Sequence, residues 1–212
     1  MHAASDTTAS LGDQLQQAID GLPPDRLSLD ALLEQVGPQG LLLLTALLSL
    51  VFLIPVSIPG VSTVFGAGIL LVGVSRLMRR PLWLPARLRA RQLPSDTLRS
   101  ALGRSMVWVA RLQKISRPHR LPALVDSRLA GTVNDAGLVL GALLLMAPFG
   151  FVPFSNTLPA LAILLLAIGL MQRDGVAVLL GHLMNLASIV YFGGLIGGGG
   201  LAVRELFQRF AG

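Results

Sequence analysis

Two long stretches of this chain carry no charge, and prolines break each of them near its middle. The first runs from Leu41 to Ser75 and is interrupted at Pro55-Val-Ser-Ile-Pro59-Gly60. The second runs from Ala136 to Gln172 and is interrupted at Pro148-Phe-Gly-Phe-Val-Pro153. Proline and glycine deep in an apolar segment leave backbone groups without partners. Lipid cannot satisfy those groups, so such breaks persist only inside protein or beside water. A pair of them points to a binding or translocation site.

The rest of the composition narrows the class. Of 212 residues, 53% are hydrophobic and only 13% charged, about half the charge of a soluble domain. The chain therefore reads as an all-α polytopic membrane protein, a single membrane domain overall. It has no cysteine, which excludes disulfide and thiolate chemistry and leaves the redox compartment unread. The first 40 residues hold six acids and one arginine, which argues against a cleaved signal peptide. Thirteen of the seventeen Lys/Arg lie between Arg76 and Arg128, against two acids, Asp96 and Asp126. A basic run between two membrane segments faces the cytoplasm by the positive-inside rule and suits anionic headgroups. Nucleic acid is not an expected partner, because no reading helix or recognised nucleic-acid fold accompanies the charge.

Residues 1–40 read as acidic amphipathic helices. One carries the stripe Leu11, Leu15, Ala18, Ile19 and Leu22; the next carries Leu29, Leu32, Leu33 and Val36, with Ser28 as its cap and Gly37-Pro38 as its stop. Residues 41–75 form the first hairpin. Its arms, Leu41 to Ile54 and Ser62 to Ser75, are each about 21 Å long as helices against a hydrocarbon core of about 30 Å. They make either a re-entrant hairpin with its tip near mid-membrane or two short, tilted spans. Residues 76–135 form the basic connection. It contains a stiff turn around Trp83 and an amphipathic helix striped with Leu98, Leu102, Met106, Val109 and Leu112. Trp83 and Trp108 stand there as interfacial anchors, with Arg99, Arg104 and Arg111 on the polar side. Residues 136–174 form the second hairpin. Residues 175–203 form a transmembrane helix that Gly197 to Gly200 is expected to end, and 204–212 a short terminal helix holding Arg204, Glu205 and Arg209.

The hairpins match at an offset of 94 residues. Pro59 aligns with Pro153, Ser62 with Asn156, Thr63 with Thr157, and Arg79 with Arg173. This register predicts an internal parallel repeat, with both hairpins entering from one face.

The second arm of each hairpin begins with exposed backbone N–H groups, capped by Ser62 or Thr63 and by Asn156 or Thr157. Helix N-termini favour anions. The ligand-binding candidates are therefore Pro59, Ser62, Thr63, Pro153, Asn156, Thr157, Arg173 and Asp174, with Asp174 orienting Arg173. The simpler reading is that the caps serve only their own helices and that Arg173-Asp174-Gly175 is an interfacial helix end. His182 and Asn185 lie within one turn of each other inside the final span. They make either a proton path or an interhelical hydrogen bond. Asp135 reads as a helix cap. His2, His119 and His182 show no metal-ligand spacing, and no nucleophile motif, phosphate loop or intramembrane carboxylate pair appears, so no enzyme, cofactor or metal is expected.

Several phrases together resemble one family. They are Ile58-Pro-Gly-Val-Ser-Thr-Val-Phe-Gly66, Trp83-Leu84-Pro85, Arg117-Pro118, Asn156-Thr-Leu-Pro-Ala160 and Gly169-Leu-Met-Gln-Arg-Asp-Gly175. In this order they resemble the ExoD family of bacterial exopolysaccharide-synthesis proteins over residues 28 to 195. His119 stands where the family pattern has arginine. The resemblance implies a multi-pass inner-membrane protein linked to exopolysaccharide production and, in some members, to tolerance of alkali. It supplies no reaction. The expected role is to bind or move an anionic lipid, such as a phospholipid or polyprenyl-phosphate carrier. The alternatives are ion or proton transport along His182, Asp174 and Asn185, and a scaffold for a polysaccharide synthase. A homo-oligomer is compatible with each.

Overall fold

The computed structural model describes residues 20, 26–53, 61–83, 92–94, 120–149 and 152–211. Five helices make up most of this: α1 (Leu29–Leu50), α2 (Val61–Leu77), α3 (Arg128–Leu145), α4 (Thr157–Gln172) and α5 (Gly175–Ala211). Two three-residue strands, β1 (Arg26–Ser28) and β2 (Gln92–Pro94), pair antiparallel with Leu27 opposite Leu93. They join the start of α1 to the basic connection, which the sequence reading did not anticipate. The stop at Gly37-Pro38 is present only as a bend. Gly37 takes φ 62 and ψ −169, a conformation that only glycine adopts cheaply, and helix resumes at once. Helix 11–22, the first tip with Pro59, and the amphipathic helix with Trp108, Arg99, Arg104 and Arg111 lie outside the described residues.

Helix α4 is the core element. It is apolar around its whole circumference, which suits a helix covered on all sides. Ala160, Ala162, Ile163, Leu166 and Ala167 are fully buried. It packs on α5, α1 and α3, whereas α2 packs chiefly on α3. Glycine sets the closest approach. A Cβ on Gly169 would lie 2.7 Å from Val178 Cγ2 and 2.8 Å from its backbone nitrogen. One on Gly181 would lie 2.7 Å from Leu166 Cγ.

The bundle has two unlike ends. At one, Phe52 meets Phe65 edge-on with ring centroids 5.8 Å apart, and Phe149 meets Phe192 at 5.0 Å. The Tyr191 hydroxyl there donates to the Pro153 carbonyl at 2.6 Å. Its exposed side chains include Val51, Val64 and Phe154. At the other end the C-termini of α2 and α4 meet the N-termini of α3 and α5, and ion pairs replace aromatic contacts.

Two helix boundaries differ from expectation. Helix α3 begins at Arg128 with Ser127 as its cap, whose side chain accepts from Ala130 N at 3.0 Å. Asp135 is thus not a cap but stands well inside the helix, which continues into residues assigned to the loop because they are polar. Helix α5 does not end at Gly197 to Gly200 but continues through 37 residues to Ala211, so Arg204, Glu205 and Arg209 belong to the same helix. Each glycine costs a helix about 1 kcal/mol. A break in an apolar segment strands several backbone groups at greater cost, so the helix persists.

The second arms end alike. Arg79 and Arg173 both adopt left-handed backbone, each with φ 54. Arg80 N donates to Ser75 O at 3.0 Å, and Asp174 N donates to Gly169 O at 2.8 Å. These six-residue closures have the Schellman form and lie 94 residues apart in the chain. The packing yields a direct prediction. Gly169→Val places side-chain atoms against the Val178 backbone and should lower stability by about 1–3 kcal/mol, read as a lower melting temperature of the purified protein.

Candidate functional site at the charged end

Asp174 has no exposed surface, although it is a charged residue in an apolar helix junction. Both carboxylate oxygens have defined work. Oδ2 accepts from Arg120 Nη2 at 2.8 Å. Oδ1 accepts from the backbone nitrogens of Val176 and Ala177 at 3.0 and 3.4 Å, capping α5. The chain makes this geometry possible at Gly175. Its nitrogen donates to the Arg120 carbonyl at 2.7 Å, and a Cβ there would meet Leu121 O, Arg120 O and Leu121 Cβ. Arg120 itself is part-exposed, with side-chain exposure of 41%, and its Nε is buried without a partner.

Two further pairs complete this end. Arg76 Nε donates to Asp135 Oδ1 at 2.8 Å, tying the end of α2 to α3. Arg173 Nη2 lies 2.8 Å from Asp126 Oδ1, with side chains 62% and 44% exposed. The Asp174 carboxylate thus serves Arg120 and the start of α5, while Arg173 pairs with Asp126. The left-handed turn at Arg173 sends the two side chains to different partners. Segment 120–127 is fastened at four points: by the Arg120 side chain to Asp174, by the Arg120 carbonyl to Gly175 N, by Asp126 to Arg173, and by the Leu124 carbonyl, which accepts from Asn134 Nδ2 at 2.8 Å.

Deeper in the bundle, His182 and Asn185 face α3. His182 Nε2 lies 2.9 Å from Asn134 Oδ1, and Asn185 Nδ2 donates to the Gly137 carbonyl at 2.9 Å. Because the Asn134 amide nitrogen is committed to Leu124, its oxygen faces the ring, and Nε2 carries the proton. Gly137 and Gly141 open the seam. A Cβ on Gly137 would lie 2.6 Å from His182 Cε1, and one on Gly141 3.2 Å from Asn185 Oδ1. Of the two readings of His182 and Asn185, the interhelical hydrogen bond is what this seam contains.

The candidate ligand residues divide into two groups. Ser62, Thr63, Pro153, Asn156 and Thr157 stand at the tip end, where Ser62 and Asn156 are buried and Thr63 and Pro153 exposed. Asn156 occupies the cap position of α4, but its side chain makes no capping bond. Arg173 and Asp174 stand at the opposite end of α4, about 24 Å away by helical rise. Trp83 is exposed beyond α2, at 71%. Sequence reasoning missed Arg120, Asp126 and Asn134 as partners. They are 54, 47 and 48 residues from Asp174, Arg173 and His182, and no local pattern marks so distant a pairing. Among the described residues, no group of His, Asp or Glu is placed to hold a metal ion.

These features define a helical protein with three ion pairs gathered at one end of its bundle. Two helical segments, Arg128–Leu145 and Gly175–Gly198, are long and apolar enough to cross a membrane. The family described as "Exopolysaccharide synthesis, ExoD" matches over residues 11–194, and this chain belongs to it. It is 43% identical over 187 residues to Protein ExoD of Rhizobium meliloti (strain 1021), spanning 88% of this chain and 78% of that protein. It is 32% identical over 157 residues to an uncharacterized protein of Synechocystis, spanning 70% of this chain and 72% of the other. No solved structure matches.

Removing one partner of a buried ion pair leaves the other charge uncompensated, at about 3–5 kcal/mol. Arg120→Ala, which strands the wholly buried Asp174 carboxylate, should therefore loosen the charged end and sharply lower the melting temperature. At the seam, a double-mutant cycle of His182→Leu and Asn134→Leu should return a coupling of about 0.6–2 kcal/mol; zero coupling would deny the bond any role in stability.

Proposed function

We propose that this protein is a multi-pass inner-membrane bundle that supports exopolysaccharide synthesis by binding the phosphate group of an anionic lipid or polyprenyl-phosphate carrier. The binding end is the charged one, which faces the cytoplasm. The observation that carries this reading is Arg173: exposed, paired among the described residues with the part-exposed carboxylate of Asp126, and set at the end of α4 rather than within the bundle. The connection that carries thirteen basic residues from Arg76 to Arg128 leaves α2 and enters α3 at this same end. The tip segments 51–53, 61–65 and 152–157 carry no charged residue, while α5 runs on past them to Arg204, Glu205 and Arg209.

Helices α3 and α4 rise about 27 and 24 Å, close to but short of a hydrocarbon core of about 30 Å. Together with exposed Val51, Val64 and Phe154 at the tips, this supports hairpins whose tips approach the far surface, where water can satisfy their broken backbone. The matching left-handed ends at Arg79 and Arg173 support a parallel repeat. Conduction of protons along His182 and Asn185 has less support, since both side chains are tied to α3.

Arg173→Gly tests the reading, because glycine suits the left-handed backbone while removing the guanidinium. The variant should insert normally, keep its stability within about 1 kcal/mol, and lower exopolysaccharide output several-fold in a strain lacking the wild-type protein. Full output would sink the proposal.

A further inference from the structure

Arg79 and Arg173 hold equivalent places in the two hairpins, and both sit in a backbone conformation that costs a side chain roughly 1–2 kcal/mol. Glycine is the usual residue at such a helix end. Leu121 and Phe154 take the same backbone, so the strain by itself does not single out arginine. Charge opposite the helix dipole offsets about 0.3–1 kcal/mol of it for an exposed cation, and the same cation at both equivalent helix ends is what calls for a shared role. The environments of the two arginines differ in one respect. Arg173 has Asp126 against it at 2.8 Å. Arg79 is exposed, four residues before the exposed Trp83, and among the described residues no carboxylate pairs with it.

We propose that Arg79 and Arg173 are two matched contacts for the phosphate of anionic membrane lipid, and that Asp126 is a built-in substitute ligand that keeps the second contact closed until lipid displaces it. This rests on the binding function proposed above and adds to it a second contact, an order of filling and the residue that sets the order. The chemistry is that of a guanidinium fork, which accepts a carboxylate or a phosphate in the same way. The Arg173–Asp126 pair suits exchange because both side chains are largely in solvent, where such a pair is weak. The Arg120–Asp174 pair does not, since its carboxylate is wholly buried and also caps α5. Arg79 is therefore filled first, and Arg173 only at the expense of Asp126. Because Asp126 also holds segment 120–127 against the bundle, filling the second contact loosens one of the four ties on that segment.

The test is native mass spectrometry of the detergent-solubilised full chain titrated with dioleoylphosphatidylglycerol, with dioleoylphosphatidylcholine and inorganic phosphate as comparison probes. Wild type should take up two phosphatidylglycerol molecules with unequal affinity. Asp126→Asn should tighten the second step up to about fivefold, the range an exposed ion pair allows, without changing the first. Arg79→Gly should remove the first step and Arg173→Gly the second, each with the melting temperature retained. If wild type binds phosphatidylglycerol selectively but Asp126→Asn leaves the second step unchanged, the substitute-ligand inference fails and the lipid-binding reading stands. If wild type shows no preference for phosphatidylglycerol over phosphatidylcholine, both fail. Equal competition by inorganic phosphate would make the site one for free phosphate and would overturn the lipid assignment.

Discussion

A carboxylate with no exposed surface holds the charged end of this molecule together. Asp174 must have its charge answered, because an unpaired buried charge costs several kcal/mol. Arg120 answers it from 54 residues away. That one requirement brings the basic connection back onto the bundle, places the Arg120 carbonyl on Gly175, and starts α5 in its direction. The remaining ties of segment 120–127, through Asp126 and Leu124, depend on its having been brought there.

The interior is joined by a different physics. Helices of this composition gain little from hydrophobic contact with each other when lipid is the alternative. They associate through close packing at small residues and through hydrogen bonds. Gly169 and Gly181 let α5 lie against α4, and Gly137 and Gly141 let His182 and Asn185 reach α3. The same small residues that admit the polar contacts also admit the backbones, so shape and polarity are set by one set of positions.

Three ion pairs gather at one end of the bundle and aromatic contacts at the tips, which gives the packed helices a direction. In so apolar a chain, proline-broken turns persist only within protein or beside water, which leaves few arrangements open. The left-handed arginines at both second-arm ends stand at the end that holds the ion pairs. That is where exposure, charge and helix termination coincide, and it is why the functional reading settles there rather than at the tips.

The amino-acid order alone carries the helical class, the two uncharged proline-broken stretches, the collection of basic residues between them and the correspondence of Arg79 with Arg173. These follow from local composition, proline placement and spacing, which physics reads along the chain. It also marked Asn185 and His182 as the polar residues of the last helix. It placed the start of α3 too late and the end of α5 too early, because polar residues and glycines mimic boundaries that backbone hydrogen bonding overrides. Only the tertiary structure decided that Asp174 belongs to Arg120, Asp126 to Arg173, Asp135 to Arg76 and Asn134 to His182. Those partners are chosen by how helices stack, and the energy of each pair exists only once distant segments have been brought within hydrogen-bonding reach.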